Sequence, residues 1–175
     1  MAEPSPVRAP AVVRHFATII DLVFAALTVV VFVAVALATG VRSPWSAAIP
    51  LALFLGALLL VRRRWPMTVL LLSIVALFAY HLVSWSPPGW IWPASAAYFT
   101  AAATPRVRWV AVIGVAQLLY SAIDARRIID RNLPHYLTHT LGEGLLLAAI
   151  LGVGLAYAAS VRWRNRPGGL EDATT

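Results

Sequence analysis

The chain has 175 residues, 61% of them hydrophobic and only 12% charged, with a formal net charge of +7. Ordinary soluble domains carry roughly 25% charged residues, and a mean hydropathy of +0.80 excludes a water-soluble core, so the sequence reads as an integral membrane protein. A basic balance would otherwise suggest nucleic-acid binding, but every cation is an arginine and most stand at the ends of apolar runs, which excludes nucleic acid as the partner. Cysteine is absent, which removes disulfides, thiolate metal sites and thiol nucleophiles.

Residues 1–14, rich in Pro and Ala, are expected to form a disordered cytoplasmic arm. The apolar stretch Phe16–Ala38 is too long for the roughly 7–15-residue core of a signal peptide and reads as a membrane helix. Crossing the hydrocarbon layer takes about 20 apolar residues, and six candidates follow in order: His15–Thr39, Trp45–Val61, Pro66–Ser84, Trp90–Ala103, Arg108–Ile123 and Leu137–Val161. Pro44, Pro66 and Pro105 suit helix starts, where the missing N–H would be unsatisfied anyway. The fourth candidate is short and contains Pro93, so a re-entrant segment is the alternative there. The tail 165–175, with Gly-Gly and acidic residues, is expected to be disordered. The expected fold class is all-α: a bundle of six transmembrane helices over 15–164, with both termini cytoplasmic.

Orientation comes from the excess of Arg and Lys on cytoplasmic loops. With the N-terminus inside, six crossings place Arg8, Arg14, Arg62, Arg63, Arg64, Arg106, Arg108, Arg162, Arg164 and Arg166 inside, and only Arg42, Arg126, Arg127 and Arg131 outside. Trp65, Trp109 and Trp163 stand beside inner arginines, while Trp45, Trp85, Trp90 and Trp92 fall at the outer edge, as interfacial belts do. The stretch "VRRRWP" (61–66) is therefore an inner hairpin in which Arg62, Arg63, Arg64 and Trp65 form a basic anchor. It serves either as a topology signal or as a site for anionic lipid.

No nucleotide, zinc-protease or nucleophile-elbow motif is present, so neither a catalytic residue nor a cofactor is assigned. Polar residues within spans are costly and default to functional candidates. Asp21 is expected near the inner face, either paired with Arg14 or the Arg62–Arg64 group, or carrying a proton-coupled or signalling role. Gln117 and Tyr120 in the fifth span suit interhelical hydrogen bonds. His135, His139 and Glu143 recur every four residues and stack on one helix face, and His81 falls at the same outer end. This set can bind a divalent cation or sense pH, or it can simply be a polar helix start. Gly144, Ala148, Gly152, Ala156 and Ser160 form a small-residue stripe that lets another helix approach closely, as a homodimer seam or as packing within the bundle.

Taken in order, "RHFATIIDLVFAAL", "RRRWPMTVLLL" and "PASAAYFTAAATPR" resemble the N-terminal membrane region of actinobacterial two-component sensor histidine kinases of the nitrate/DesK-type branch. Asp21 and Arg62–Arg64 match positions of that pattern. The resemblance implies a non-catalytic input module that relays a stimulus through its last helix to a cytoplasmic kinase. The sequence departs from the family after the sixth span, where "VRWRNRPGGLEDATT" replaces the phospho-accepting histidine and ATP-binding boxes. A kinase or response regulator acting in trans is therefore the expected partner beyond the lipid bilayer. A small transporter or channel-like protein, or a structural membrane subunit, is the alternative.

Overall fold

The computed structural model describes residues 11–38, 47–83, 90–128 and 133–164, and every regular element among them is helical. The elements are α1 (Ala11–Ala38), α2 (Ala48–Val61), α3 (Pro66–Val83), a 3₁₀ turn (Trp92–Ala94) leading into α4 (Ser95–Ala102), α5 (Val107–Ile128) and α6 (Leu133–Arg164). Ile19–Ala38, Val107–Arg126 and Leu133–Arg164 are each long and apolar enough to cross a membrane, and Ala48–Val61 and Pro66–Leu82 are shorter apolar helices. Large apolar side chains such as Leu27, Val30, Val75, Leu119 and Leu145 face outward. That is the arrangement expected where the surrounding solvent is lipid.

Turn chemistry sets the boundaries. After α2, the N–H groups of Arg64 and Trp65 both donate to the Val61 carbonyl, at 3.0 and 3.3 Å, closing a tight turn. Pro66 then opens α3, because its ring disfavours helical backbone at Trp65 and its missing N–H costs nothing at a first helical position. The turn between α4 and α5 is tied by Thr104, whose hydroxyl donates to the Ala101 carbonyl at 2.7 Å and accepts the Arg106 N–H at 3.3 Å.

Packing relies on small residues rather than on wetting, since lipid gives helices no hydrophobic reason to associate. α1 packs most extensively on α2. There a Cβ added to Gly56 would meet Val29 Cγ2 at 2.8 Å. α4, although only two turns long, lies at the centre of the bundle: Ala97, Tyr98, Ala101 and Ala102 are all buried, and it touches α3, α5 and α6. At Gly154 of α6 an added Cβ would meet Ala102 Cβ at 2.8 Å and the Phe99 carbonyl oxygen at 3.0 Å. Phe32, Leu55, Leu70, Leu77, Ile91 and Tyr98 fill the interior.

Several boundaries differ from those expected. α1 begins at Ala11, so 11–14 belong to the helix rather than to an arm, and Asp21 lies ten residues, nearly three turns, from its start. α5 and α6 extend past the expected limits, to Ile128 and back to Leu133, and Pro134 is tolerated because it stands in the first turn of α6. The fourth segment divides at Pro93 into a 3₁₀ turn and α4. The remaining expected arm (1–10), the tail (165–175) and the outer residues Pro44, Trp45 and Trp85 lie outside the described residues.

Candidate functional site

Two buried polar centres lie toward opposite ends of the bundle. The first is built on Asp21. Helical periodicity sets Asp21, Ala25, Phe32 and Ala36 on the face of α1 that is buried, and α2 packs there so that Arg62, the residue that caps its C-terminus, reaches the carboxylate. Arg62 Nη2 lies 2.8 Å from Asp21 Oδ1, and Arg63 Nε lies 2.6 Å from Oδ2. The two arginines are not equivalent: the Arg62 side chain is 8% exposed and that of Arg63 is 53% exposed. Arg62 also lies over the Phe24 ring, 5.1 Å from its centroid, a favourable cation–π placement. A carboxylate bound to two guanidinium groups is neutralised, which suits a structural tie between α1 and the α2–α3 turn better than proton transfer. Arg64 and Trp65 of the same turn are exposed.

The second centre is built around a stretch of non-helical backbone. Trp90 and Ile91 are bends, yet both are buried, and non-helical backbone at membrane depth must have its N–H and C=O satisfied by neighbouring protein. Side chains from two helices do this. The Trp90 N–H donates to Glu143 Oε1 of α6 at 2.6 Å, and Gln117 Nε2 of α5 donates to the Trp90 carbonyl at 2.6 Å. Glu143 Oε2 accepts the Ser121 hydroxyl, and Gln117 Oε1 accepts the Tyr98 hydroxyl at 2.6 Å. An aromatic cluster caps this network. His81 stacks on the Trp90 ring at 3.7 Å, and Phe78 and Tyr120 lie 4.7 and 4.9 Å from it. His81 Nδ1 donates to the Leu77 carbonyl at 2.8 Å. Its buried Nε2, together with Tyr80 Oη, His139 Nδ1 and Thr140 Oγ1, has no partner among the described residues.

This arrangement revises the histidine reading. Among the described residues no group of three or more His, Asp or Glu side chains is placed to hold a metal ion. Along α6 the face turns inward, so His135 is exposed, His139 half-buried and Glu143 buried. Glu143 spends its oxygens on Trp90 and Ser121 instead of joining His135, His139 and His81 as ligands. Tyr120, expected to hydrogen-bond between helices, packs its ring on Phe78 at 4.6 Å and on Trp90, whereas Gln117 does bridge elements. Trp90 is buried among its neighbours, while Trp65, Trp109 and Trp163 are exposed. Ser121, Tyr98 and the Trp90 backbone were not singled out from sequence. A polar serine four residues after Gln117 is the only local hint of that face.

The stripe on α6 also resolves. The buried face runs through Glu143, Leu147, Gly154 and Ala158, and the intramolecular contact is made at Gly154. Gly144 is half-buried, near Leu118, while Ala148, Gly152, Ala156 and Ser160 are exposed, and a Cβ added to Gly152 would meet nothing within 4 Å. The stripe is thus not the packing face within the bundle. Comparison of the chain with protein-family models, with curated proteins and with solved structures finds no match.

Proposed function

We propose that this membrane protein is a non-catalytic signalling module: a six-span bundle of the bacterial plasma membrane with both termini cytoplasmic, acting through a two-component kinase or response regulator. The reading is supported above all by α6. This is one unbroken 32-residue helix that carries, at Glu143, the carboxylate holding the outer polar network. It continues ten residues beyond Gly154, where α4 packs, which is about 15 Å along its axis. A change that alters how Glu143 holds Trp90 therefore acts on a rigid element whose last turn presents Arg162, Trp163 and Arg164 at the other end. Two arrangements of such a helix need differ by only a few kcal/mol for a ligand to shift their populations.

The reading of Trp90–Ala102 as the fourth crossing is supported by where its two ends lie. The α2–α3 and α4–α5 turns line one cleft, while Trp90 lies against His81 near the far end of α3. With that crossing, ten of the fourteen arginines fall inside. Transport is the second reading, on the strength of two buried carboxylates, but Asp21 is neutralised by arginines. The test is twofold. Reconstituted liposomes should show no proton or cation flux, and the intact chain, cross-linked in its native membrane, should recover a histidine-kinase core or a response regulator. Flux that disappears in Glu143→Gln, with neither protein recovered, would overturn the signalling reading in favour of transport.

A further inference from the structure

We propose that the cleft between the α2–α3 and α4–α5 turns binds the phosphate headgroup of an anionic phospholipid. The cleft has a volume of about 730 Å³, and its lining includes Arg64 and Trp65 from one turn, Thr68 from the first turn of α3, and Thr104, Pro105 and Arg106 from the other turn. Two observations on charge single it out. Of the three consecutive arginines, Arg62 and Arg63 are committed to Asp21, whereas the Arg64 guanidinium has no acidic partner among the described residues. Arg106, 42 residues later in the chain, is exposed on the same cleft, and its side chain likewise has no acidic partner among the described residues. Two like charges lining one concavity repel each other unless an anion lies between them, and guanidinium groups are suited to gripping phosphate oxygens.

The surroundings select a lipid rather than a soluble anion. Both turns join apolar helices, so the cleft opens at the edge of the hydrocarbon layer, where headgroups lie. Trp65 is 60% exposed beside it, as an interfacial anchor is. Met67 and Pro66 give the cleft an apolar wall against which the glycerol and upper acyl chain can pack. The α3 and α5 helices both start at this cleft, adding the partial positive charge of two helix N-termini. Thr104 is already engaged within its own turn, so Thr68 is the hydroxyl left to donate to the ligand. This inference rests only on the membrane placement of the apolar helices and is independent of the signalling reading.

The experiment is native mass spectrometry of the delipidated full chain titrated with phosphatidylglycerol or phosphatidylcholine, with Arg64→Gln/Arg106→Gln compared against the equal-charge control Arg108→Gln/Arg162→Gln. A guanidinium that grips the bound phosphate makes a charged hydrogen bond, worth about 1.5 kcal/mol or more, that the control arginines do not make. Removing two should therefore weaken phosphatidylglycerol binding on the order of 100-fold, at about 1.4 kcal/mol per tenfold, with phosphatidylcholine binding unchanged and the control within about threefold of wild type. Both double variants should keep the wild-type unfolding midpoint. Equal losses in the two would show a diffuse basic surface and overturn the proposal. Competition by millimolar inorganic phosphate as effective as that by phosphatidylglycerol would overturn the assignment to lipid.

Discussion

Gly152 and Gly154 stand two residues apart on the same helix and in opposite environments, so the same substitution at each isolates packing from every other effect. At Gly154 an alanine Cβ would lie 2.8 Å from Ala102 Cβ and 3.0 Å from the Phe99 carbonyl oxygen. Carbon–carbon contacts prefer about 3.5–4.0 Å, so α4 and α6 must separate by on the order of 1 Å. The atoms in the way are a methyl group fixed to the backbone and a backbone oxygen, so no side-chain rotation relieves the clash. Overpacking of this kind costs about 1–3 kcal/mol. At Gly152 the added Cβ meets nothing within 4 Å. The gain in helix propensity, up to about 1 kcal/mol, is common to both sites and cancels in the comparison. Gly154→Ala should thus be less stable than Gly152→Ala by about 1–3 kcal/mol. The assay is reversible unfolding in mixed micelles of increasing denaturing detergent, at a dilution where the chain is monomeric. Coincident midpoints, or a lower midpoint for Gly152→Ala, would refute the placement of the α6 packing face.

The other expectations concern the two polar centres and the outward stripe. Asp21→Asn leaves Arg62 buried without a countercharge and should cost about 3–5 kcal/mol, whereas Arg63→Gln, removing a half-exposed partner, should cost about 1 kcal/mol or less; similar losses in unfolding free energy for the two would contradict the geometry. Glu143→Ala strands the Trp90 N–H and the Ser121 hydroxyl, at about 1–3 kcal/mol per unpaired group, and should weaken the near-ultraviolet circular dichroism of the aromatic cluster. Glu143→Gln keeps an acceptor for the N–H and should fall between Glu143→Ala and wild type, so equal damage from both would count against the hydrogen bonds. Gly152→Leu should leave the monomer's unfolding midpoint unchanged. If the stripe mediates self-association, it should also abolish cross-linked dimers in the membrane, and an unchanged oligomeric state would remove that role.

The sequence alone shows the apolar helices and the basic turns between them, because the membrane imposes a length and a charge asymmetry that need no tertiary knowledge. It places Asp21 near arginines but not which ones, since the choice of Arg62 and Arg63 follows from how α1 docks on α2. Glu143 illustrates the limit of periodicity. Spacing by four groups it with His135 and His139, yet its partners, Trp90 and Ser121, come from segments 53 and 22 residues away. Similarly, α6 carries two faces with small residues, one through Gly152 and one through Gly154, and spacing cannot tell which one meets α4. The network around Trp90 is hidden for a further reason: a backbone that needs side-chain partners because it is not helical leaves no motif in the residues that supply them.

The proposed relay through α6 rests on a chain that crosses the membrane six times, and the absence of cysteine makes this measurable without first removing native thiols. Single cysteines at Ser5, Ser43, Arg64, Ser86, Pro105, Asn132 and Thr174 should be probed with a membrane-impermeant maleimide in right-side-out vesicles. Labelling is expected at Ser43→Cys, Ser86→Cys and Asn132→Cys only, with Ser5→Cys, Arg64→Cys, Pro105→Cys and Thr174→Cys reacting once the vesicles are opened. Labelling of Pro105→Cys from outside, or of one terminus but not the other, would contradict the six-span arrangement and with it the proposed route from Glu143 to the far end of α6.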